Sequence, residues 1–134
     1  MNIIGSSTGD DTYNLLKKSL DASALRGKVI ANNVANINTN NYKKLYVTFE
    51  DTLNDSMGLN TMKTDNNKHI QAGSNNGDIT VQRDESTSMR QDGNNVDIDI
   101  EMTNQAANTL MYSALVKQAN SKISLTSYII GGGK

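Results

Sequence analysis

The sequence lacks cysteine, proline and tryptophan, and it contains one phenylalanine and one histidine. The absence of cysteine excludes disulfides, thiolate metal sites and a cysteine nucleophile. With 36% hydrophobic and 4% aromatic residues in 134 positions, the chain has little material for a large buried core. This composition is typical of extended helices that bury their apolar faces against other chains, rather than of a compact enzyme.

Long apolar runs and a strong net charge are also missing. No run approaches the ~18 residues of a membrane-spanning helix, and the start MNIIGSSTGDD has none of the parts of a secretory signal, so we expect neither. The net charge of -1 is divided into +3 over residues 1–44, −7 over 45–101 and +3 over 102–134. In a polymer the acidic middle could pair with basic ends of another subunit, although a solvated surface that keeps the subunit soluble is the favoured interpretation.

Two segments have the periodicity of amphipathic helices. Apolar or small residues recur at alternating three- and four-residue steps in both, which predicts a coiled-coil-like seam on each helix. Ser23 and Gly27 are small, so a neighbouring helix can approach closely there. The two seams consist of Tyr13, Leu16, Leu20, Ser23, Gly27, Ile30 and Val34, and of Tyr112, Val116, Ala119, Ile123, Thr126 and Ile130.

Between these helices the pattern changes. The stretch LYVTFEDTL alternates as a strand or a short amphipathic turn would, and DITVQRD and NVDIDIE also alternate apolar and polar residues. Two short strands are predicted, and Asn76-Gly77 and Asp92-Gly93 indicate turns. Residues 54–76 have little periodicity and predict a long loop. The predicted organisation is a flexible leader (1–12), a helix with an Asn-rich motif (13–44), a loop and short-strand middle region (45–101), a C-terminal helix (102–130) and a tail (131–134). The fold class is therefore mainly α, two packed amphipathic helices with a small irregular or β middle.

Residues suited to catalysis are scarce. His69 has no second histidine nearby, so a surface or packing role is favoured over a metal ligand or base. Asp97, Asp99 and Glu101 alternate along DIDIE, and a strand followed by a helix cap is favoured over a metal or acid/base site. We expect no catalytic residue, cofactor or metal, and no nucleic-acid partner, because the basic pairs lack interleaved aromatic residues apart from two tyrosines.

The segment ANNVANINTNNYKK closes the first helix and resembles a motif of the flagellar rod, hook and filament axial proteins, ANN-hydrophobic-AN-x-x-T-P-G-Y-K. Asn40 and Asn41 stand where that family usually has proline and glycine. Asparagine tolerates left-handed backbone conformations almost as glycine does, so the departure is mild, although the turn loses the rigidity that proline would give. The matching residues are Ala31, Asn32, Asn33, Val34, Ala35, Asn36, Thr39, Tyr42 and Lys43.

A second motif, DGNNVDIDIEM, precedes the C-terminal helix and is similar to a GN-x-V-D-hydrophobic-D-x-E-M segment of the proximal rod members of that family. The matching residues are Gly93, Asn94, Val96, Asp97, Asp99, Glu101 and Met102. The resemblance covers residues 13–50 and 86–130. The resemblance implies a structural, non-enzymatic subunit of the bacterial flagellar basal body. It also implies that the chain leaves the cell unfolded through the flagellar type III export apparatus and folds as it joins the rod. In the rod, the subunit would transmit torque for motility. The implied partners are itself, other rod proteins (FlgC, FlgF and FlgG-like), the adaptor FliE and the MS-ring protein FliF.

Assembly is expected to use the helix seams, within a subunit and between neighbours. The isolated chain should then be largely monomeric, with low or loose helicity. A soluble coiled-coil adaptor or scaffold, working in the cytoplasm as a closed small oligomer, explains the seams equally well but not the two motifs. The predicted interface residues are Leu16, Leu20, Ile30, Val34, Tyr112, Val116, Ala119 and Ile123.

Overall fold

A computed structural model describes residues 7–51, 53, 77–86 and 90–132, with side chains from Thr12 onward. Helix α1 spans Ser7–Ala35, strand β1 Leu45–Thr48, strand β2 Thr80–Arg83 and helix α2 Ile98–Ile130. Two long helices and a two-stranded sheet confirm the predicted mainly α fold with a small β middle. His69 and the predicted loop at 54–76 lie outside the described residues.

Helix α2 begins at Ile98 rather than at Met102. The Asp97 carboxylate caps it, because Oδ1 accepts hydrogen bonds from the backbone N–H groups of Asp99 (2.9 Å) and Ile100 (3.3 Å). The predicted cap is therefore confirmed, but the strand predicted over NVDIDIE is wrong. Alternation over so few residues does not distinguish a strand from a capped first turn, whose acidic side chains also favour the positive end of the helix dipole.

The other helix ends follow simple local chemistry. Helix α1 begins at Ser7, inside the 1–12 segment predicted as a leader, and ends at Ala35, where the Asn-rich segment turns. Helix α2 ends at Ile130, and the N–H of its C-cap residue, Gly131, donates to the Ser127 carbonyl at 2.8 Å. Gly132 follows with a left-handed φ of 74°, a conformation that glycine adopts freely and that stops the helix.

The two helices run antiparallel and are joined by a buried polar pair. Ser23 Oγ donates to Asn108 Oδ1 at 2.9 Å, and Asn108 Nδ2 donates to the Ser23 carbonyl at 3.0 Å. A Cβ added to Gly27 would lie 3.4 Å from Asn108 Nδ2, which is van der Waals contact, so the Asn108 amide packs directly over Gly27. The close approach predicted at Ser23 and Gly27 is found, and a polar side chain fills it.

The sheet is antiparallel, with Leu45 opposite Arg83 and Thr48 opposite Thr80. The apolar core is small and lies where β1 and the start of α2 meet α1. Arg26 of α1 adds a contact to the segment after β1, because its Nη2 bonds both Glu50 carboxylate oxygens at 2.6 and 2.8 Å. The buried apolar residues are Leu16, Ala22, Val29, Ile30, Val47, Phe49 and Val96.

The Ser23–Asn108 pair makes a first prediction. Asn108→Ala leaves the buried Ser23 Oγ without its acceptor and removes the second hydrogen bond to the Ser23 carbonyl, which should lower the free energy of unfolding by about 1–3 kcal/mol. Urea unfolding followed by circular dichroism measures the change. The control is Asn104→Ala on the same helix, where the side chain is exposed and the same gain in helix propensity applies. Equal stability of the two variants would contradict a structural role for the pair.

The motif junction as a candidate assembly site

The two sequence motifs meet at one end of the helix pair. Residues 31–44 and 92–102 form a common polar cluster, which we call the motif junction. Asn41 N–H donates to the Asp92 carbonyl at 2.7 Å, and Lys44 N–H donates to Asn95 Oδ1 at 2.7 Å. These two hydrogen bonds join residues that are more than 50 positions apart in the chain, and each has a main-chain N–H as its donor.

Asn33 lies at the centre of the motif junction, on the last turns of α1, and is 1% exposed. Its Nδ2 donates to the Leu45 carbonyl at 2.8 Å and to Glu101 Oε2 at 3.0 Å. Its Oδ1 accepts from Leu45 N–H at 2.9 Å and from the Tyr42 hydroxyl at 3.1 Å. The amide thus pairs with both main-chain groups of Leu45, as a neighbouring strand would, and all its hydrogen-bonding positions are used.

Glu101 brings a buried carboxylate to the same place, since it is 4% exposed. Burying a carboxylate is costly unless hydrogen bonds replace its water, and the Asn33 amide supplies one. The pKa of Tyr42 is raised, chiefly by burial and also by the negative charge of Glu101. Tyr42 therefore keeps the proton that it donates to Asn33 well above neutral pH. The sequence identified Glu101 only as a capping acid and a motif residue, because nothing local to it indicates Asn33 as its partner.

Asn94 closes the other side of the motif junction and is fully buried. Its Nδ2 lies 3.0 Å from each of three carbonyl oxygens, those of Asn36, Ile37 and Thr39, and its Oδ1 accepts from Val96 N–H at 2.8 Å. These carbonyls belong to the turn that follows α1, where the Asn36 and Thr39 carbonyls also accept from the N–H groups of Thr39 and Tyr42. Asn94 thus ties the turn after α1 to the segment that leads into α2.

A left-handed turn makes this docking possible. Asn41 has φ 56°, so asparagine adopts here the conformation that the family's glycine would. Gly93 faces it with φ 72°, and a Cβ at Gly93 would lie 2.6 Å from Asn41 Oδ1. Its left-handed backbone conformation favours glycine at position 93, whereas the Asn41 oxygen lies at the end of an exposed side chain that can move aside.

The remaining motif residues lie around this centre. Thr39 and Asn36 are joined by a hydrogen bond between their side chains, Asn36 Nδ2 also donates to the Asn32 carbonyl, and Lys43 Nζ donates to the Ser86 carbonyl. Val96 is buried. The exposed motif residues are Ala31, Asn32, Ala35, Thr39, Asp97, Asp99 and Met102.

The predicted interface residues divide into three groups by their exposure. Leu16 and Ile30 are buried within the subunit, and four others are partly covered: Leu20, Val34, Val116 and Ala119. Tyr112 and Ile123 remain 44% and 54% exposed. The sequence patterns missed further exposed apolar residues of α2, because they lie off the seam: Leu125, Tyr128 and Ile129.

The chemistry that the described residues offer is hydrogen bonding and apolar contact. Among them, no three histidine or acidic side chains come together as a metal site would require. Neither described helix is long and apolar enough for a membrane span. A groove of about 310 Å³ lies between β1 and the helices, with Val29, Val47 and Met111 in its lining, and Glu101 and Arg26 also line it.

The Asn33 amide makes a second prediction. Asn33→Asp replaces the Nδ2 donor with a carboxylate oxygen that faces the Leu45 carbonyl and Glu101, so the free energy of unfolding at neutral pH should fall by roughly 3 kcal/mol or more. Two neighbouring carboxylates raise the pKa of one of them, so the loss should shrink as the pH falls below about 5. Asn32→Asp, at the exposed preceding position, is the control; a similar loss there would refute the role of the amide.

The Gly93 geometry makes a third prediction. Gly93→Ala should destabilise the fold by about 1–2 kcal/mol, because a left-handed alanine is strained, with a smaller addition for moving the Asn41 side chain aside. Gly132→Ala is the matched control, since Gly132 has a similar φ of 74° and no atom within 4 Å of an added Cβ. Thermal unfolding of both variants separates the contact from the strain, and equal losses would show that the contact contributes nothing.

Comparison with known proteins shows which family the chain belongs to. A family model described as flagella basal body rod protein matches residues 20–43, which cover the second half of α1 and most of the Asn-rich motif. The flagellar basal body rod protein FlgB of Bacillus subtilis is 38% identical over 124 residues, 92% of this chain and 95% of the relative. The FlgB proteins of Borrelia hermsii and Borreliella burgdorferi are 36% and 37% identical over 76% and 69% of this chain, and 82% and 76% of their own lengths. The chain therefore belongs to the FlgB family of flagellar basal body rod proteins.

Proposed function

We propose that this protein is a structural subunit of the proximal rod of the bacterial flagellar basal body, that it polymerises through α1 and α2, and that it works without catalysis. Its membership of the FlgB family supports a place in the rod and assembly with other rod components. The motif junction fits a structural role, since its polar side chains are occupied with one another.

The observation that carries the proposal is that α2 has exposed apolar side chains pointing in several directions. Leu110, Met111 and Tyr112 are consecutive and 74%, 38% and 44% exposed. Successive helix residues point about 100° apart, so these three face different directions and α1 cannot cover them all. The same holds for Tyr128, Ile129 and Ile130, which are 57%, 67% and 81% exposed.

Large apolar side chains that are exposed in several directions around a helix favour burial against other chains. At about 25 cal/mol per Å² of apolar surface removed from water, each large side chain covered by a neighbour adds roughly 1.5–3 kcal/mol. Assembly therefore supplies stabilisation that the small core of one subunit lacks. This supports folding that is completed on joining the rod.

Specific partners and the export route extend this proposal. We include as partners other rod proteins of the FlgC, FlgF and FlgG-like kinds, the adaptor FliE and the MS-ring protein FliF. Passage through the flagellar type III export apparatus without a cleaved signal peptide fits a chain whose small core and lack of cysteine make unfolding easy. The alternative, a closed cytoplasmic coiled-coil oligomer, is not favoured, because the similar proteins named above are rod proteins.

The exposed face of α2 makes a fourth prediction. Ile123→Asp should abolish swimming without changing the amount of protein made, because it places a charge where a neighbour is expected to bury the side chain. Val116→Asp should do the same, although Val116 is partly buried and the subunit itself is then weakened. Swimming in soft agar and immunoblots of whole cells measure the two effects.

Gln118→Asp introduces the same charge at an exposed polar position of α2 and is the control. It should leave swimming unchanged, and the protein should be recovered with purified basal bodies. Normal swimming of the Ile123→Asp strain would refute the interface, and absence of the unaltered protein from basal bodies would refute the rod assignment.

A further inference from the structure

The start of α2 presents an apolar surface with acidic residues beside it. Ile98, Ile100 and Met102 are 45%, 52% and 49% exposed. Asp97 and Asp99 alternate with them along the chain and are also exposed. We call this surface, residues 97–102, the shoulder.

The rest of α2 has the opposite charge. Residues 110–130, which we call the arm, contain Lys117 and Lys122 and no acidic residue. Lys117 is exposed. Large apolar side chains on the arm are at least half exposed, among them Ile123, Leu125 and Tyr128. The shoulder and the arm thus match in apolar character and are complementary in charge.

We propose that the arm of one copy docks on the shoulder of a second copy, head to tail. The two surfaces cannot meet within one subunit, because Met102 and Tyr128 lie on the same helix roughly 40 Å apart. Charge complementarity favours this shoulder-to-arm contact between two copies over a symmetric pairing, in which two acidic shoulders or two basic arms would face each other. This inference rests on the proposed rod function and adds to it which two surfaces of the subunit meet.

Head-to-tail docking has a structural consequence. A contact between two different surfaces repeats along an open assembly, whereas a contact between identical surfaces stops at a dimer. The apolar side chains would provide most of the affinity, and the charges would set the direction. Removing or reversing one exposed charge is therefore expected to weaken docking about two- to fivefold rather than to abolish it.

The absence of cysteine in the chain allows a direct test in assembled rods. A Met102→Cys, Tyr128→Cys double variant, expressed in place of the natural chain, is oxidised in intact cells, and basal bodies are purified. A ladder of cross-linked copies is expected on non-reducing gels. Because a disulfide requires Cα atoms within ~7 Å, its yield should exceed by about tenfold that of an Ala24→Cys, Tyr128→Cys control with an exposed site on α1.

The charges are tested on the same background. Asp99→Lys should reduce the yield about two- to fivefold, and adding Lys117→Asp should restore it by exchanging the two signs. Restoration would not occur if Asp99→Lys acted only by weakening the start of α2. A yield unchanged by Asp99→Lys would overturn the proposed pairing of charges.

The remaining outcomes separate the proposals. Cross-linking of Met102→Cys alone or Tyr128→Cys alone would show symmetric pairing and overturn the head-to-tail contact. A swimming strain that has the double-cysteine protein in its basal bodies but gives no ladder would overturn this contact while leaving the rod function intact. Absence of the protein from basal bodies would overturn both.

Discussion

The side-chain amide of Asn33 is the interaction on which the arrangement of the subunit depends. It holds both main-chain groups of Leu45 at the start of β1 and the carboxylate of Glu101 on α2, from a position near the end of α1. Three elements are therefore fixed by one buried group. Because an amide offers two donors and one acceptor oxygen in a plane, no apolar residue of the same size can replace it.

Polar and apolar groups are distributed unusually in this fold. Polar side chains fill the motif junction, where Asn33 and Asn94 are almost or fully inaccessible. Large apolar side chains lie instead on the outside of α2. Hydrogen bonds, which depend on direction, set the internal geometry, whereas apolar surface, which does not, is left exposed on α2. Under the proposed rod function, that exposed surface is what neighbouring subunits would cover.

The sequence was informative where the determining interactions are local. Helical periodicity identified α1 and α2, the position of Asp97 before an apolar run identified the cap, and the tolerance of asparagine for left-handed turns explained Asn41. The strand over NVDIDIE failed because alternation is ambiguous over one turn. The roles of Asn33 and Glu101 could not be predicted from the sequence for another reason. These two residues are 68 positions apart, and no spacing rule connects them. A buried asparagine is noticed only when the carbonyls around it are known.

The bond between Asn41 and Asp92 also sets a boundary on what the middle of the chain can do. The two strands continue this closure, with Leu45 opposite Arg83 and Thr48 opposite Thr80. The entropy of closing a loop grows only with the logarithm of its length, so doubling a loop costs about 0.6 kcal/mol. Residues added or removed between Thr48 and Thr80 would therefore change the free energy of folding little, provided that the pairing of the strands is kept.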